Sequence, residues 1–195
     1  MFYYFCRLIG FPFIYILFFP KIIGRKNRKL KGKGIVMSNH KSMWDPLFVT
    51  VLNRCQIHWM GKTELFQNRF VRWVFLTGGV FPVHRGETDV VAIRHAFKLL
   101  RDNKILGLFP EGTRSKGESI ANFEPGTSMI ALKNDATILP VYIKGDYRLF
   151  HRMTIIIGEQ IRLSDYIEAK SGPKAVAAAT TLLEKKLAEL RDSNE

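Results

Sequence analysis

Residues 88–115 read TDVVAIRHAFKLLRDNKILGLFPEGTRS. In 88–103, Val90, Val91, Ile93, Phe97 and Leu100 recur at the three- and four-residue spacing of a helix with one apolar face. Directly after it, Ile105-Leu106-Gly107-Leu108-Phe109 is an unbroken apolar run of strand length, the pattern of a short buried strand. The same alternation extends in both directions. Ile35-Val36-Met37, Ile57-His58-Trp59-Met60 and Val80-Phe81-Pro82-Val83 read as strands before it, and Ile138-Leu139-Pro140-Val141 and Thr154-Ile155-Ile156-Ile157 as strands after it. A short helix is expected over 126–133. A last one should start near Ser171, with Pro173 in its first turn and Val176, Leu183, Leu187 and Leu190 along one stripe. Strands alternating with helices predict an α/β fold with a sheet flanked by helices.

The 195 residues suffice for one domain of ordinary size, and 47% hydrophobic with 24% charged residues excludes wholesale disorder and a multi-span membrane protein. Two cysteines, Cys6 and Cys55, make neither a disulfide framework nor a zinc site, so no metal is expected. Charge is the informative quantity. Residues 1–86 hold 14 Lys and Arg against Asp45 and Glu64, whereas 87–195 hold 16 basic against 15 acidic residues, so nearly all of the +13 lies in the first half. An anionic partner is implied: nucleic acid, an anionic membrane leaflet or a phosphorylated substrate.

The N-terminus favours the leaflet. MFYYFCRLIGFPFIYILFFP, residues 1–20, carries Arg7 as its only charge, and Lys21, Arg25, Lys26, Arg28, Lys29, Lys31 and Lys33 follow at once. Each such cation near an anionic leaflet contributes about 1 kcal/mol. Phe11, Phe13, Phe18 and Phe19, with Lys21, Arg25 and Lys26, are the expected anchoring residues. The apolar stretch after Arg7 is short of the roughly 20 residues of a spanning helix, and Pro12 is expected to break it, so a half-inserted or re-entrant helical segment is expected. A signal peptide fits poorly, because most of the charge follows the apolar region; a single span over residues 1–23 is the alternative. The division expected is 1–33 as the membrane-anchoring segment and 34–195 as the catalytic or binding domain.

Two histidines stand five residues before an aspartate, His40 before Asp45 and His84 before Asp89. Such a pair can serve as a base and its orienting carboxylate. Five residues of regular helix would point the two side chains about 140° apart, so a working pair needs an irregular turn between them. Pro46 supplies one for the first pair, pushing Asp45 out of the helical region and making it the cap of a helix through Leu47, Val49 and Leu52. In the second, Thr88 reads as the cap, with Asp89 in the first turn, where a carboxylate needs no partner. The segment Phe109-Pro110-Glu111-Gly112-Thr113-Arg114-Ser115 ends a strand, where α/β proteins keep their sites. Gly112 allows close backbone approach, Arg114 can bind a phosphate or carboxylate, and Glu111 can orient Arg114 or hold a hydroxyl.

With these segments side by side, the chain resembles the glycerolipid acyltransferases, the family typified by 1-acyl-sn-glycerol-3-phosphate acyltransferase. Asn39, His40 and Asp45 match the first block of that family. Gly79 and Arg85 match the second, Phe109 to Ser115 the third in full, and Ile138 to Val141 resembles the fourth. The resemblance implies a single-domain glycerol-phosphate acyltransferase-like αβ fold with a mixed central sheet. It also implies transfer of an acyl group from an acyl-CoA or acyl carrier protein thioester to a lysophospholipid hydroxyl in phospholipid biosynthesis, with no cofactor. His40 would be the general base and Asp45 its orienting carboxylate. Asn39, Arg85, Glu111, Gly112, Thr113 and Arg114 would bind substrate, at the cytoplasmic face of the cell membrane. Acceptors other than lysophosphatidic acid, such as a lyso-aminolipid or glycerol-3-phosphate, remain open, because Glu124 stands where the family often carries a lysine; Lys116 or Lys133 are the candidates to compensate. No nucleic-acid-binding motif is present, and nucleic acid is not an expected partner.

Overall fold

The computed structural model describes residues 2–52, 56–84, 89–115, 120, 122–168 and 172–193. Among these, seven strands form one sheet: β1 (Lys21–Ile23), β2 (Gly34–Ser38), β3 (Ile57–Lys62), β4 (Phe81–Val83), β5 (Ile105–Leu108), β6 (Thr137–Lys144) and β7 (Thr154–Ile157). Their order is β1-β7-β6-β2-β5-β3-β4. β6, β2, β5, β3 and β4 run parallel, while β7 pairs antiparallel to β6 and β1 parallel to β7, so the sheet is mixed. The α-helices among the described residues are α1 (Phe2–Phe18), α2 (Asp45–Leu52), α3 (Arg69–Gly78), α4 (Val90–Arg101), α5 (Gly126–Asn134) and α6 (Pro173–Asp192).

β2 is the pivot. All five of its residues are buried, as expected of a strand with neighbours on both edges and helices on both faces. Val36 pairs with Gly107 of β5 and with Leu139 of β6. Alternation then separates two cores. Ile35 and Met37 meet Leu99 and Leu100 of α4, Ile130 of α5 and Leu183 and Leu187 of α6, while Val36 meets Phe48, Val49 and Val51 of α2 and Ile14 of α1. The chain leaves β5 on one side of β2 and re-enters at β6 on the other, which opens a crevice at the carboxyl end of β2.

The strands follow the sequence reading closely; the differences lie in helix faces and at the N-terminus. In α4 the buried residues are Ala92, Ala96, Leu99 and Leu100, while Val90 and Val91 are exposed, so the packed face is turned away from the one the larger residues suggest. Asp89 caps α4 by accepting from the Ala92 N–H; the expected cap, Thr88, lies outside the described residues, as does Ser171. Gly172 caps α6. α3 is not legible as a core helix because none of its residues is buried: Phe70, Trp73 and Leu76 face outward beside Arg69 and Arg72. Its ends are nonetheless well defined. The Asn68 side chain accepts from the N–H groups of Phe70 and Val71, and Gly79, at φ 90°, closes it.

A boundary at residue 33 does not correspond to a structural division. β1 belongs to the common sheet through its pairing with β7, and α1 packs on α2 and α3. Pro12 does not break α1. The amide bond that Pro12 cannot donate falls on the outer face, where both Pro12 and Leu8 are exposed, so no packed contact depends on it. α1 ends where Phe19 adopts a left-handed backbone (φ 39°) just before Pro20. Among the described residues no helix is long and apolar enough to cross a membrane.

Gly107 is a packing requirement. A Cβ there would lie 2.5 Å from the Trp59 ring and 2.7 Å from Ile57 Cγ2, both on the adjacent strand. Gly107→Ala is expected to lower unfolding stability by about 1–3 kcal/mol through overpacking. Urea denaturation measures this, and an unchanged midpoint would mean that the Trp59 ring moves aside freely.

Candidate active site

Asp45 opens α2 and is completely buried. A carboxylate taken out of water is tolerable only when its lone pairs are filled. Its Oδ2 accepts from the N–H groups of Lys41 at 2.6 Å and Ser42 at 2.7 Å, and it lies 2.8 Å from His40 Nδ1. Its other oxygen accepts from the hydroxyl of Tyr147, 102 residues further on. The two backbone donors exist because residues 41–44 turn back over the carboxylate before α2 begins; Asp45 is the first residue of that helix and not, as Pro46 suggested, a cap outside it. With Nδ1–H directed at Asp45, the ring's second nitrogen, Nε2, is the one left as a proton acceptor.

The loop after β5 holds the histidine from the opposite side. The His40 N–H donates to Glu111 Oε1 at 3.2 Å, and the His40 carbonyl accepts from Ser115 through both its N–H (2.8 Å) and its Oγ (3.1 Å). The His40 ring stacks on Phe109, with centroids 4.1 Å apart, and Phe109 stacks on Trp59 at 4.7 Å. Trp59 Nε1–H donates to Thr50 Oγ1 of α2, which closes the support back onto the helix that carries Asp45. The loop after β5 therefore holds the backbone and one ring face of His40, while Asp45 of α2 holds its Nδ1.

Asn39 and Glu111, expected to bind substrate, are both buried and bonded to backbone. Asn39 is 2% exposed and uses both ends of its amide on Ile143, donating to its carbonyl at 3.1 Å and accepting from its N–H at 2.8 Å. In effect it continues the β2–β6 ladder for one more residue and aims His40 outward. Glu111 is likewise buried and ties the third block to the first. Thr113 and Arg114 are exposed at the rim, and Gly112, with φ 65°, makes the turn that brings them there. Arg85 lies outside the described residues, as does Lys116. Lys133 is at the far end of α5, which leads into the start of β6 and so to the opposite edge of the sheet from His40. Lys62 ends β3 on the correct edge and is exposed: β3 pairs Trp59 with Gly107, which sets Lys62 level with Pro110. Glu124, whose N–H donates to the Pro110 carbonyl at 2.7 Å, packs its Cγ against Gly112.

The second histidine pair makes the same contact, His84 Nδ1 to Asp89 Oδ2 at 3.0 Å, so Asp89 has a partner that its helix position did not require. Burial separates the two pairs. The side chains of His40 and Asp45 are 7% and 0% exposed, against 73% for His84. Asp89 is a capping group whose carboxyl is lowered to about 2 by the N–H groups of His84 and Ala92. The residues that sequence reasoning missed are Tyr147, Phe109 as a ring support, and Lys62. Tyr147 has no local signal, because its link to Asp45 spans 102 residues. Among the expected anchoring residues, Phe11, Phe13, Phe19, Lys21, Arg25 and Lys26 are exposed, but Phe18 points inward onto Phe48 and Tyr147.

The chain matches the Acyltransferase family model over residues 20–144. A Borreliella burgdorferi protein named 1-acyl-sn-glycerol-3-phosphate acyltransferase is 32% identical over 131 residues, covering 66% of this chain and 52% of its own length. The chain thus spans about half the length of that relative. A Bacillus subtilis protein of the same name is 29% identical over 178 residues, 88% of each chain. The crystal structure of the 1-acyl-sn-glycerophosphate (LPA) acyltransferase PlsC from Thermotoga maritima has the same fold, with a TM-score of 0.73 at 22% identity over 99% of this chain and 81% of that one. The family match runs from β1 to the end of β6 and takes in His40, Asp45 and the whole loop from Phe109 to Ser115; this chain belongs to the Acyltransferase family.

Proposed function

We propose that the protein transfers a fatty acyl group from an acyl thioester, carried on coenzyme A or acyl carrier protein, to the sn-2 hydroxyl of 1-acyl-sn-glycerol-3-phosphate, forming phosphatidic acid. The acceptor follows the names of the relatives. The observation that carries the mechanism is the buried Asp45 carboxylate on Nδ1 of His40.

His40 Nε2 takes the proton of the acceptor hydroxyl as its oxygen attacks the thioester carbonyl. Asp45 holds the Nδ1–H tautomer and stabilises the imidazolium that forms. Collapse of the tetrahedral intermediate breaks the C–S bond, and the departing thiolate takes the proton back from His40, leaving the histidine as it began. No covalent acyl-enzyme is needed. Arg114 and Lys62, both exposed cations at the carboxyl edge of the sheet, suit the acceptor phosphate, and Thr113 its glycerol oxygens.

The test is acyl transfer by purified protein, with a palmitoyl thioester and a panel of lysolipids. Product on lysophosphatidic acid supports the proposal; no product on any lysolipid overturns it. Product only on a less anionic lysolipid favours the alternative acceptor and makes Glu124, seated against Gly112, the residue to exchange for lysine. Arg114→Ala should raise KM for the phosphate-bearing acceptor by about 10- to 100-fold, the size of a lost charge-assisted pair. An equal rise with a phosphate-free analogue would remove Arg114 from phosphate binding.

We also infer that the protein works as a peripheral or monotopic enzyme on an anionic leaflet. α1 exposes Leu8, Ile9, Phe11, Phe13 and Ile16, and α3, packed beside it, exposes Phe70, Trp73 and Leu76 with Arg69 and Arg72 at hand. Trp and Phe flanked by Arg suit the boundary between headgroups and acyl chains. Deleting residues 1–20 would also uncover Phe48 and Val51, so surface substitutions are the cleaner test. Phe11→Ser with Phe13→Ser should reduce co-sedimentation with vesicles containing phosphatidylglycerol by at least about tenfold. Unchanged sedimentation would move the contact away from α1.

A further inference from the structure

Tyr147 lies on the loop that follows β6, and nothing in the chemistry described so far uses it. Its hydroxyl donates to Asp45 Oδ1, the carboxylate oxygen turned away from His40. Its ring is gripped edge-on by two aromatic residues from different helices, Phe48 of α2 at 5.0 Å and Phe18 of α1 at 6.0 Å, and these two contact each other at 5.0 Å. The loop is pinned at several other points. Lys41 Nζ donates to the Gly145 carbonyl, Phe150 N–H to the Leu17 carbonyl and Met153 N–H to the Phe18 carbonyl. A hydroxyl held this firmly on a buried carboxylate affects how strongly that carboxylate acts on its other partner.

We propose that Tyr147 is a positioning residue for the transfer reaction, the third member of a His40–Asp45–Tyr147 chain, which fixes the Asp45 carboxylate and moderates its pull on His40. This rests on the reading of His40 as the general base. Burial first, then the neighbouring Asp45 charge, raises the phenol far above its ordinary value, so Tyr147 remains a hydrogen-bond donor at any working pH. Among the described residues, Lys41 is engaged on the Gly145 carbonyl and Glu111 on the His40 N–H. Asp45 is the charge that faces the hydroxyl. The aromatic grip gives the position a second consequence, because α1, the helix proposed to meet the leaflet, touches the catalytic support through Phe18.

Tyr147→Phe keeps the ring and removes the donor. The carboxylate, no longer shared with the phenol, holds the imidazolium more strongly, so the acid limb of the kcat/KM profile should move up by about half a unit to one unit. kcat should fall about tenfold with KM for the acceptor unchanged. A purely structural role would lower thermal stability and leave the limb where it was. Incorporating 3-fluorotyrosine at 147, a stronger donor of nearly the same size, should move the limb down, and this arm remains available if the phenylalanine variant folds poorly. Coincident limbs in the wild type and in whichever of these proteins folds would overturn the assignment. His40→Ala, assayed alongside, separates the two readings: transfer surviving in His40→Ala removes the base, whereas an inactive His40→Ala with unmoved limbs removes only Tyr147.

Discussion

Replacing His40 with alanine is expected to reduce kcat by about 10³- to 10⁴-fold, with little change in KM for either substrate. The proposed contribution of His40 is made only as the acceptor oxygen loses its proton, so its loss falls on the chemical step and not on binding. Loss of the fold does not account for such a drop. The backbone of residue 40 stays anchored by Glu111 and Ser115, both of which bond to its main chain. What the substitution removes is the stack on Phe109 and the Nδ1–H donor to Asp45, a cost of a few kcal/mol at most, which unfolding curves measure separately. A variant that retains more than about a tenth of wild-type turnover would exclude His40 as the base.

The second large effect belongs to Asp45, and here the choice of substitution separates structure from chemistry. Asp45→Ala leaves the Lys41 and Ser42 N–H groups, the His40 Nδ1–H and the Tyr147 hydroxyl facing a space without an acceptor. A loss of about 3–5 kcal/mol of stability is expected, enough to unfold a marginal domain. Asp45→Asn should behave differently. Its amide oxygen can occupy the position of Oδ2, where three donors converge, while its NH₂ group faces Tyr147, whose oxygen can turn to accept. The tautomer of His40 is then preserved and only the charge is lost. Stability should drop by about 1–2 kcal/mol and kcat by about 10²- to 10³-fold. That is less than when a lost carboxylate also reverses the imidazole tautomer. Denaturation midpoints and initial rates measured on the same preparations test the separation. Equal stability of the two variants would mean that the converging donors are not what holds the turn.

Much of the site was legible because its chemistry is local. His40 and Asp45 stand five residues apart, and the need for an irregular turn between them is readable from the chain alone, although Asp45 proves to be the first helical residue and not a cap outside the helix. The loop from Phe109 to Arg114 was legible for a similar reason, as a glycine and charged residues placed directly after a buried apolar run. For Asn39 and Glu111 the structure adds backbone contacts that the chain alone does not show. A polar side chain at the end of a buried strand looks the same in sequence whether it meets a substrate or a backbone 104 residues away. Phe18, one aromatic among many in a segment that is apolar on every side, turns inward onto Phe48 and Tyr147, which the chain alone does not show.

The sequence by itself determined β2 to β7, the helices α2, α4, α5 and α6, the charge asymmetry and the closeness of His40 to Asp45, because each is written in a short stretch of chain. Only the tertiary structure decided which of two equally spaced histidine–aspartate pairs is buried. It also decided that β1 joins the sheet, that Lys62 rather than Lys133 shares an edge with the site, and that Tyr147 reaches Asp45. Each of these depends on which segments pack together, and a parallel sheet brings distant segments to one edge through long connections whose pairing no local pattern encodes.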